Sequence, residues 1–458
     1  MENRSYRRYL LAGLLVILAF NNAEGLTLGL VMQDIKADLH ATDMQLGLLS
    51  GIAFMLFYAV MGVPLARWAD RGNRVAIISI TATAWSILVA LCGFAASFVQ
   101  LLITRIGVAI GEAGSTPPAY SLIADYFSRQ ERPRAVAIYL LGGNLSFLIG
   151  YFLAGWINEL YGWRATFITL GSLGLLPAIV ARFTLREPRI ARKGSKTVGA
   201  AGAISSADAM ESTSLPLPKL TDVLITLISN VTFRHLLFSF SIAAFFCSGI
   251  LQWLPTFFIR SHGLNTGRLG MWFGVIWTCG GLLGTWAGGD LASRYAAGNE
   301  RLQLKAVAAA YCVFAVCSAI VYLASDYHLA FGALMLAITG LAMTNGPVLA
   351  TIQTLTPAPM RATGIAIVYL CSNLIGTGLG PLAVGALSDA LRPWCGEESL
   401  RWALLAMAPG YFWGGWHLWR ASRTVMRDVE SAQRNDPTRT ERAEVSTARA
   451  CAEGAAIP

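Results

Sequence analysis

The feature that most constrains this chain is a series of twelve apolar stretches, each about 20 residues long, within its 458 residues. A helix of that length crosses the hydrocarbon core of a bilayer, which is about 30 Å thick. Charged residues make up only 13% of the chain, against about 25% in soluble domains, so composition argues against a soluble enzyme, a disordered chain and a disulfide-rich secreted scaffold. We therefore predict an all-α integral membrane protein. Its twelve predicted transmembrane helices are Leu10–Val31, Leu46–Arg67, Val75–Phe94, Phe98–Ala124, Ala135–Ile157, Ala165–Leu185, His235–Ile259, Leu269–Leu291, Lys305–Ala324, Leu329–Thr354, Ala362–Ala386 and Arg401–Arg420.

A long polar segment separates the first six stretches from the last six. The predicted units are an N-terminal six-helix bundle, 1–185, a cytoplasmic linker, 186–234, a C-terminal six-helix bundle, 235–421, and a polar cytoplasmic tail, 422–458. Inside the linker, Asp222–Ile228 has the pattern of a short interfacial helix, whereas the tail is predicted to be poorly ordered. Two six-helix bundles are typical of secondary carriers, in which the substrate binds between the bundles near the midplane. No segment resembles a filter loop, so a channel is disfavoured.

The positive charges predict the orientation of the chain in the membrane. The chain carries 35 Lys and Arg residues and a formal net charge of +9. If the N terminus is cytoplasmic, all of these residues fall on the cytoplasmic side except Arg105, inside a stretch, and six on the other side: Lys36, Arg164, Arg260, Arg268, Arg392 and Arg401. The positive-inside rule produces such an asymmetry, so topology explains the net charge and no nucleic-acid partner is predicted. We expect both termini in the cytoplasm and the chain in the inner membrane of a bacterium.

Three ionisable residues interrupt the apolar stretches: Glu24 in the first, and Arg105 and Glu112 in the fourth. A charge at mid-bilayer costs several kcal/mol, so such residues are expected to serve a function. Counted along their helices, Glu24 and Arg105 lie at similar depth, and Glu112 lies two turns beyond Arg105, about 10 Å along the same face. The sequence therefore predicts that all three line a central cavity.

This cluster of charges is suited to a carrier driven by protons. A carboxyl group that gains and loses an Arg partner as the protein changes conformation can bind and release a proton. We assign Glu24 and Glu112 to proton coupling, with Glu112 as the main proton site because it lies deeper. Arg105 is assigned to substrate binding, since a guanidinium group binds carboxylates and phosphates through two hydrogen bonds. The alternative is that Arg105 and one Glu form a structural pair that holds two helices together.

Amide side chains in the second half are further candidates for substrate binding. Asn345, Gln353 and Asn373 lie in the tenth and eleventh stretches, where an amide can hydrogen-bond a substrate or join two helices. Both roles remain open for each of them. No residues have the spacing of a metal site, of a nucleophile with its base, or of a phosphate-binding loop. Neither an enzyme nor a cofactor nor a metal site is predicted.

The loop after the second stretch resembles the cytoplasmic gate motif of the major facilitator superfamily. It runs from Gly62 through Asp70 and Arg71 to Arg74, and Ala66 stands where the motif usually has Gly. An Asp at a helix end beside several Arg residues can hold the terminus of a neighbouring helix and so close a gate.

The corresponding loop of the second half, Gly288–Arg294, is a degenerate copy in which Ser293 stands in place of the acid. The resemblance therefore implies an asymmetric gate whose main acid is Asp70. The remaining cations assigned to this gate are Arg134, Arg294 and Arg361.

Further motifs resemble the spinster-like branch of the same superfamily, and the likeness extends roughly from Leu10 to Arg420. The motifs of the first half are Arg105–Ala113, Pro118–Phe127, Gly162–Arg164 and Arg186–Pro188. Those of the second half are Gln353–Pro357, Met360–Ala362 and the glycine-rich segment Asn373–Asp389.

This resemblance implies a carrier of amphipathic anions, because animal members of the branch move lysophospholipids and sphingosine-1-phosphate, with proton coupling proposed. Arg105 and Glu112 match the charged pair of the branch, and Glu24 falls where the branch usually has Asp. Gly25 falls where the branch usually has Arg, a loss expected to change anion recognition or coupling. The expected substrate is therefore an amphipathic or aromatic organic anion, taken up or exported, and lysolipid transport is not assumed.

Two other functions remain open. Glu24 and Glu112 would also suit a multidrug exporter of cationic amphipaths, although Arg105 disfavours it. A lipid scramblase or facilitator, or a substrate sensor, would need no ion gradient. Competition by cationic drugs and substrate movement without proton flux would separate these possibilities. For the leading hypothesis the expected partners are a small amphipathic molecule, protons and membrane lipids, and the chain is expected to act as a monomer.

Overall fold

The computed structural model describes residues 4–128, 130–188, 220–296, 299–356 and 360–434, which are helical apart from short connections. The first half contains α1 (Arg4–Leu39), α2 (Asp43–Ser50), α3 (Ile52–Arg71), α4 (Arg74–Cys92), α5 (Phe98–Glu112), α6 (Thr116–Tyr126), α7 (Arg132–Phe147) and α8 (Ala154–Thr184). The second half contains α9 (Leu220–Ser229), α10 (Val231–His262), α11 (Thr266–Tyr295), α12 (Glu300–Leu323), α13 (Tyr327–Ala342), α14 (Asn345–Leu355), α15 (Arg361–Ser372), α16 (Gly380–Cys395), α17 (Ser399–Met407) and α18 (Gly410–Arg434). The first π-helical segment, Leu148–Leu153, joins α7 to α8, and the second, Asn373–Leu379, joins α15 to α16.

These helices are consistent with the twelve predicted crossings. Among the described residues, nine helical segments are long and apolar enough to span a membrane. Two of them, Arg134–Thr184 with 51 residues and Thr363–Ser431 with 69 residues, would be about 75 and 100 Å long at 1.5 Å per residue, so each crosses a core of about 30 Å twice. The first of these turns at Gly162, whose φ of 81° is readily adopted only by glycine. α11, with 30 residues, is long enough to cross as well, although it is not among the nine segments, and the predicted all-α membrane fold is confirmed.

Departures from a regular α-helix occur at equivalent places in the two halves. The fourth crossing breaks between Glu112 and Thr116, and its counterpart, the tenth, breaks between Ala342 and Asn345. A proline follows each break within two residues, where its missing N–H group costs no helical hydrogen bond. The fifth and eleventh crossings, also counterparts, each contain a π-helical segment. Paired interruptions of this kind are typical of carriers built from two related bundles, which place their broken helices beside the substrate.

The helices define two opposite faces of the bundle. α1 and α10 run parallel to each other. Gly29 of α1 lies against Gln252 of α10, and further along both helices Gln33 of α1 accepts a hydrogen bond from Arg260 of α10. We call the face at which α1 and α10 begin the basic face, and the face at which they end the far face. α18 ends at the basic face, since its Asp428 accepts hydrogen bonds from the first turn of α10.

Glycine residues bring the two halves together on the far-face side of the bundle. Gly155 lies directly against the backbone of Thr266, and Gly47 lies directly against the backbone of Pro381. A Cβ atom at either glycine would collide with the opposite half, so a larger residue would push the halves apart. The two halves are therefore packed backbone to backbone on this side.

The last helix corrects a predicted boundary. The tail was expected to be poorly ordered from residue 422, whereas α18 continues to Arg434. The reason is packing: Val425 and Val429 are buried, and Asp428 is hydrogen-bonded to α10. Burial of one apolar face thus extends a helix whose composition is polar.

The predicted linker is partly described. A helix is confirmed at the position of the predicted interfacial helix, where α9 covers Leu220–Ser229. The rest of the predicted linker, 189–219, and the rest of the predicted tail, 435–458, lie outside the described residues.

Candidate functional site

A cavity of about 180 Å³ lies between the two halves. Its walls come from α1, α2, α3 and α5 of the first half, and from α10 and the second π-helical segment of the other half. Carriers of this architecture bind substrate in such a place. The residues that line this central cavity are Asn21, Asn22, Glu24, Gly25, Leu28, Ser50, Phe54, Arg105, Glu112, Gln252 and Thr377.

Glu24, Arg105 and Glu112 meet in the central cavity, and the prediction that they share one site is confirmed. Arg105 donates a hydrogen bond from Nη1 to Glu24 Oε2, and the carboxyl group of Glu112 lies within hydrogen-bonding reach of Glu24. All three residues are buried, with exposed fractions of 2%, 2% and 6%. Charges interact far more strongly in such a place than in water. Two carboxyl groups beside a single guanidinium group leave one negative charge in excess, which a proton can neutralise.

Three buried polar atoms at this cavity have no hydrogen-bond partner among the described residues: Arg105 Nε, Glu112 Oε1 and Gln252 Nε2. A buried donor or acceptor without a partner costs about 1–3 kcal/mol, and native proteins keep few of them. A polar ligand would satisfy all three. Its anionic oxygen atoms can accept hydrogen bonds from the Arg and Gln donors, and a proton or hydroxyl group can donate to the carboxyl oxygen.

Sequence reasoning missed several residues that line the cavity. Gln252 stands alone as an amide in an apolar stretch of α10, a signal that could have identified it. Asn21 lies three residues before Glu24, on the same side of α1, and helical spacing could have indicated it. The ring of Phe54 lies 5.0 Å from Arg105 Cζ in a cation–π contact. No sequence pattern predicts that contact, because it joins two helices.

Gly25 leaves open space beside the charged cluster. A Cβ atom at this position would meet no heavy atom within 4 Å, so a side chain such as the arginine that the spinster-like resemblance implies here would begin in open space. Its absence leaves Arg105 as the single cation among the residues that line the cavity.

Two of the three amides predicted in the second half are not brought to the charged cluster. Gln353 in α14 and Asn373 in the second π-helical segment are exposed, and neither lines the central cavity. The side chain of Asn345 lies outside the described residues. Depth along a helix is readable from sequence, but the direction in which a helix faces is set by its neighbours.

At the far face, Asp43 joins the two halves through buried ion pairs. Its side chain is 1% exposed and accepts hydrogen bonds of 2.7 and 2.8 Å from Arg260 of the opposite half. Lys36 donates to the same carboxylate at 2.6 Å and Ser388 at 2.7 Å. Asp389 accepts hydrogen bonds from the first two backbone N–H groups of α2, where the helix dipole favours an anion. We call these five residues the far-face latch, which sequence reasoning missed.

At the basic face, Arg74 is the centre of a network within the first half. Its side chain is 0% exposed and pairs with Glu187 at 2.5 Å and with Asp125 at 2.6 Å. It also donates to Ser121 Oγ at 2.9 Å, and its backbone N–H donates to Glu187. Arg74 thus fixes the start of α4 against α6 and the segment that follows α8. This is one of the residues that the sequence assigned to the gate.

The other residues assigned to the gate are less constrained where they are described. Arg71 and Arg134 are exposed. Arg294 pairs at 2.7 Å with an aspartate one turn earlier on its own helix, and its side chain is 68% exposed. The side chains of Asp70 and Arg361 lie outside the described residues, so the latch assigned to Asp70 stays a prediction.

Arg74→Ala is expected to lower the free energy of unfolding by about 2–3 kcal/mol, because it leaves the buried carboxylate of Glu187 without its guanidinium partner. The matched control is Arg294→Ala in the degenerate gate loop of the second half, where an exposed pair within one helix contributes only about 0.5 kcal/mol. Denaturant unfolding of both purified variants in the same detergent measures the difference. Equal losses would contradict the structural role of Arg74.

Known proteins share this sequence pattern. Residues 10–381 match the family described as Major Facilitator Superfamily. An MFS-type efflux pump of Mycolicibacterium smegmatis is 30% identical over 400 residues, which cover 87% of this chain and 88% of that protein. Protein spinster homolog 1 of Xenopus tropicalis is 25% identical over 397 residues, covering 81% of this chain and 71% of that protein.

A solved structure shares the architecture. It is a bacterial homolog of the human lysosomal transporter Spinster in an inward-facing and unoccupied conformation, 26% identical, with a TM-score of 0.78 over 93% of this chain and 99% of that one. The family match spans both halves and includes every charged residue of the central cavity. The chain therefore belongs to the major facilitator superfamily of transporters, and within it resembles the spinster-like members.

Proposed function

We propose that the protein is a proton-coupled secondary transporter that moves an amphipathic or aromatic organic anion by alternating access. The observation that carries this proposal is the buried guanidinium group of Arg105, placed with the carboxyl groups of Glu24 and Glu112 in a cavity that both halves line. Charges inside a membrane protein are expensive, and they commonly mark substrate pathways and proton relays.

The ion pair between Glu24 and Arg105 supplies a coupling mechanism. While Glu24 is ionised it occupies the guanidinium group, so a substrate anion has to compete with it. A proton that reaches Glu24 by way of Glu112 removes that competitor and frees the guanidinium group for the anion. Proton and substrate then favour each other's binding, and linkage makes this effect reciprocal. The proposal is therefore symport, with both moving in the same direction.

The lining of the cavity supports a substrate with one anionic group and an apolar part. Arg105 is the single cation among the lining residues, because Gly25 stands where a second cation could otherwise project into open space. The ring of Phe54 offers an apolar surface next to the guanidinium group, and Gln252 offers an amide donor. An aromatic or amphipathic carboxylate has both features. A doubly charged phosphate ester would find no second cation among the lining residues to pair with its second negative charge.

The charge distribution supports the proposed orientation. The positive-inside rule assigns the basic face to the cytoplasm, which puts the starts of α1 and α10 there and the far-face latch outside. The conformation described here, with the halves joined at the far face, is then the inward-facing one. Rocking of the halves about the central cavity would break the latch and open the cavity to the other side. We propose the inner membrane of a bacterium as the location, and a monomer as the transporting unit.

Glu112→Gln tests the coupling. In liposomes that contain the purified native chain, symport of one proton with one anion gives about tenfold accumulation of substrate per unit of pH gradient. The variant is expected to lose this accumulation, because a neutral amide cannot release a proton, while substrate exchange across the membrane persists. Glu397→Gln, an identical change at a side chain that is 75% exposed, is the control and should accumulate substrate normally.

The substrate panel should contain aromatic acids, lysophospholipids and cationic amphipaths, with internal pH recorded in parallel. Driven accumulation by Glu112→Gln would remove Glu112 from the coupling mechanism. Substrate movement without any proton flux in the native chain would replace the proposal by a facilitator or scramblase.

Export of cationic amphipaths is a second candidate, supported by the relative named an MFS-type efflux pump and by the excess of one carboxylate in the central cavity. In that case a cation and a proton would compete for the carboxylates, so they would move in opposite directions. This candidate would be favoured by a cationic drug that drives proton movement opposite to its own movement and has little effect on the uptake of anions.

A further inference from the structure

A second cavity, of about 390 Å³, lies at the basic face among the start of α1, the end of α6 and the start of α7. Four arginines line it, Arg4, Arg7, Arg8 and Arg134, and Glu131 is the one acid among its lining residues. Guanidinium groups held this close repel one another unless an anion lies among them. None of these residues belongs to the central cavity, so this basic cavity needs a separate explanation.

Arg7 is fixed in the wall of the basic cavity. Its Nη2 lies 2.5 Å from Glu131 Oε2, and its guanidinium carbon lies 4.3 Å from the ring centroid of Phe127. The hydrogen bond from Arg7 holds the pKa of Glu131 below its ordinary value, so the pair stays ionised at neutral pH. Arg7 Nε is buried and has no partner among the described residues. A donor therefore remains for a ligand after the ion pair has formed.

The other three arginines have no carboxylate partner in the part of the chain that the structure describes. The N-terminus of α7, which begins at Arg132, adds to the positive potential. Several guanidinium groups beside a helix N-terminus form a binding site for a phosphate group, whose oxygen atoms accept hydrogen bonds from more than one arginine. The chemistry of the basic cavity is therefore that of a phosphate site.

The position of the basic cavity indicates where the phosphate comes from. Its inner end is lined by Leu11 and Ile138, at the level where the apolar run of α1 begins. Tyr6 and Tyr9, whose rings lie 6.4 Å apart, occupy the same turns of α1, and Tyr marks the boundary between headgroups and hydrocarbon. A soluble phosphate would use the arginines alone, whereas a phospholipid would also cover the apolar residues.

We propose that the basic cavity binds the phosphate group of an anionic phospholipid in the leaflet that meets the basic face. The headgroup bridges the start of α1 to the start of α7, with Arg4, Arg8 and Arg134 around the phosphate and Arg7 held behind it by Glu131. Basic pockets between transmembrane helices bind anionic headgroups in this way. Such a lipid stabilises the first half, because it neutralises charges that otherwise repel each other.

Binding of phosphatidylglycerol to the purified full chain tests this proposal. Native mass spectrometry in a neutral detergent counts bound lipid during titration with phosphatidylglycerol, and phosphatidylcholine serves as the zwitterionic reference. The double variant Arg4→Gln and Arg8→Gln is expected to bind phosphatidylglycerol about 30-fold more weakly, at roughly a fivefold loss for each arginine near the headgroups. The control is Arg234→Gln with Arg301→Gln, two exposed arginines on other helices near the basic face, which removes the same charge.

The outcomes separate the sources of the phosphate. Selective binding of phosphatidylglycerol that the Arg4 and Arg8 variant loses and the control keeps supports the proposal. Equal losses in both variants would mean general attraction to a positive surface and would overturn it. Stabilisation of the lipid-free chain by inorganic phosphate alone, with no further gain from phosphatidylglycerol, would assign the basic cavity to a soluble phosphate and also overturn it. Because binding is measured without transport, neither result depends on the function proposed for the central cavity.

Discussion

Asp43→Asn is expected to lower the ratio of molecules closed at the far face to molecules open there by a factor of about 100 or more. The change leaves Arg260, which is 5% exposed, and Lys36 without the carboxylate that both now contact. Removing one partner of a buried ion pair costs about 3–5 kcal/mol, because the remaining charge is desolvated and unpaired. The part of that cost that comes from Arg260 falls on the closed far face alone, since Arg260 and Asp43 belong to opposite halves.

The measurement is a distance distribution between spin labels at Phe94 and Leu329, exposed residues near the far face of the first and second half, in a chain freed of its native cysteines. Asp38→Asn is the matched control. Asp38 pairs with Arg164 at the same face, but both side chains are about two-fifths exposed and both belong to the first half. Such a pair is worth about 0–1 kcal/mol. Distances in Asp43→Asn that match those of the native chain and of the control would refute the latch.

The crossings and the charged cluster could be predicted because both depend on local quantities. A run of about 20 apolar residues marks a crossing by itself, and the rise of 1.5 Å per residue converts sequence position into depth. Sequence position alone therefore predicts that Glu24 and Arg105 lie at one depth, and the structure pairs them. Two opposite charges at the same depth in a low-dielectric interior attract strongly, which favours helix orientations that bring them into contact.

The far-face latch could not be predicted in the same way. Asp43 lies between two apolar stretches, where an acid is ordinary, and its partner Arg260 is 217 residues away. Only the packing of α2 against α16 and of α1 against α10 brings them together. The same limit applies to Gln353 and Asn373, whose polarity was readable although the direction in which their helices face was not. Polarity and depth are local properties, whereas orientation belongs to the assembled bundle.

Arg105→Leu is expected to abolish transport and to lower the free energy of unfolding by about 3–5 kcal/mol. The variant removes the single cation from the lining of the central cavity and leaves the carboxylate of Glu24, which is 2% exposed, without its partner. Denaturant unfolding in detergent gives the stability, and uptake into liposomes gives the transport rate. Arg392→Leu is the control for side-chain size, because its ion pair with Glu397 is exposed and should contribute at most about 1 kcal/mol.

A double variant, Arg105→Leu with Glu24→Leu, separates a structural pair from a substrate site. Removing both partners of a buried ion pair in favour of apolar residues is often neutral or stabilising, so the free energy of unfolding should return to within about 1 kcal/mol of the native value. Transport should stay absent, because no cation remains in the lining to bind the anion. Transport that returned together with stability would mean that Arg105 and Glu24 only hold α1 and α5 together. Stability that returned without transport would show that the pair does more than hold α1 and α5 together, as the proposed transport function requires.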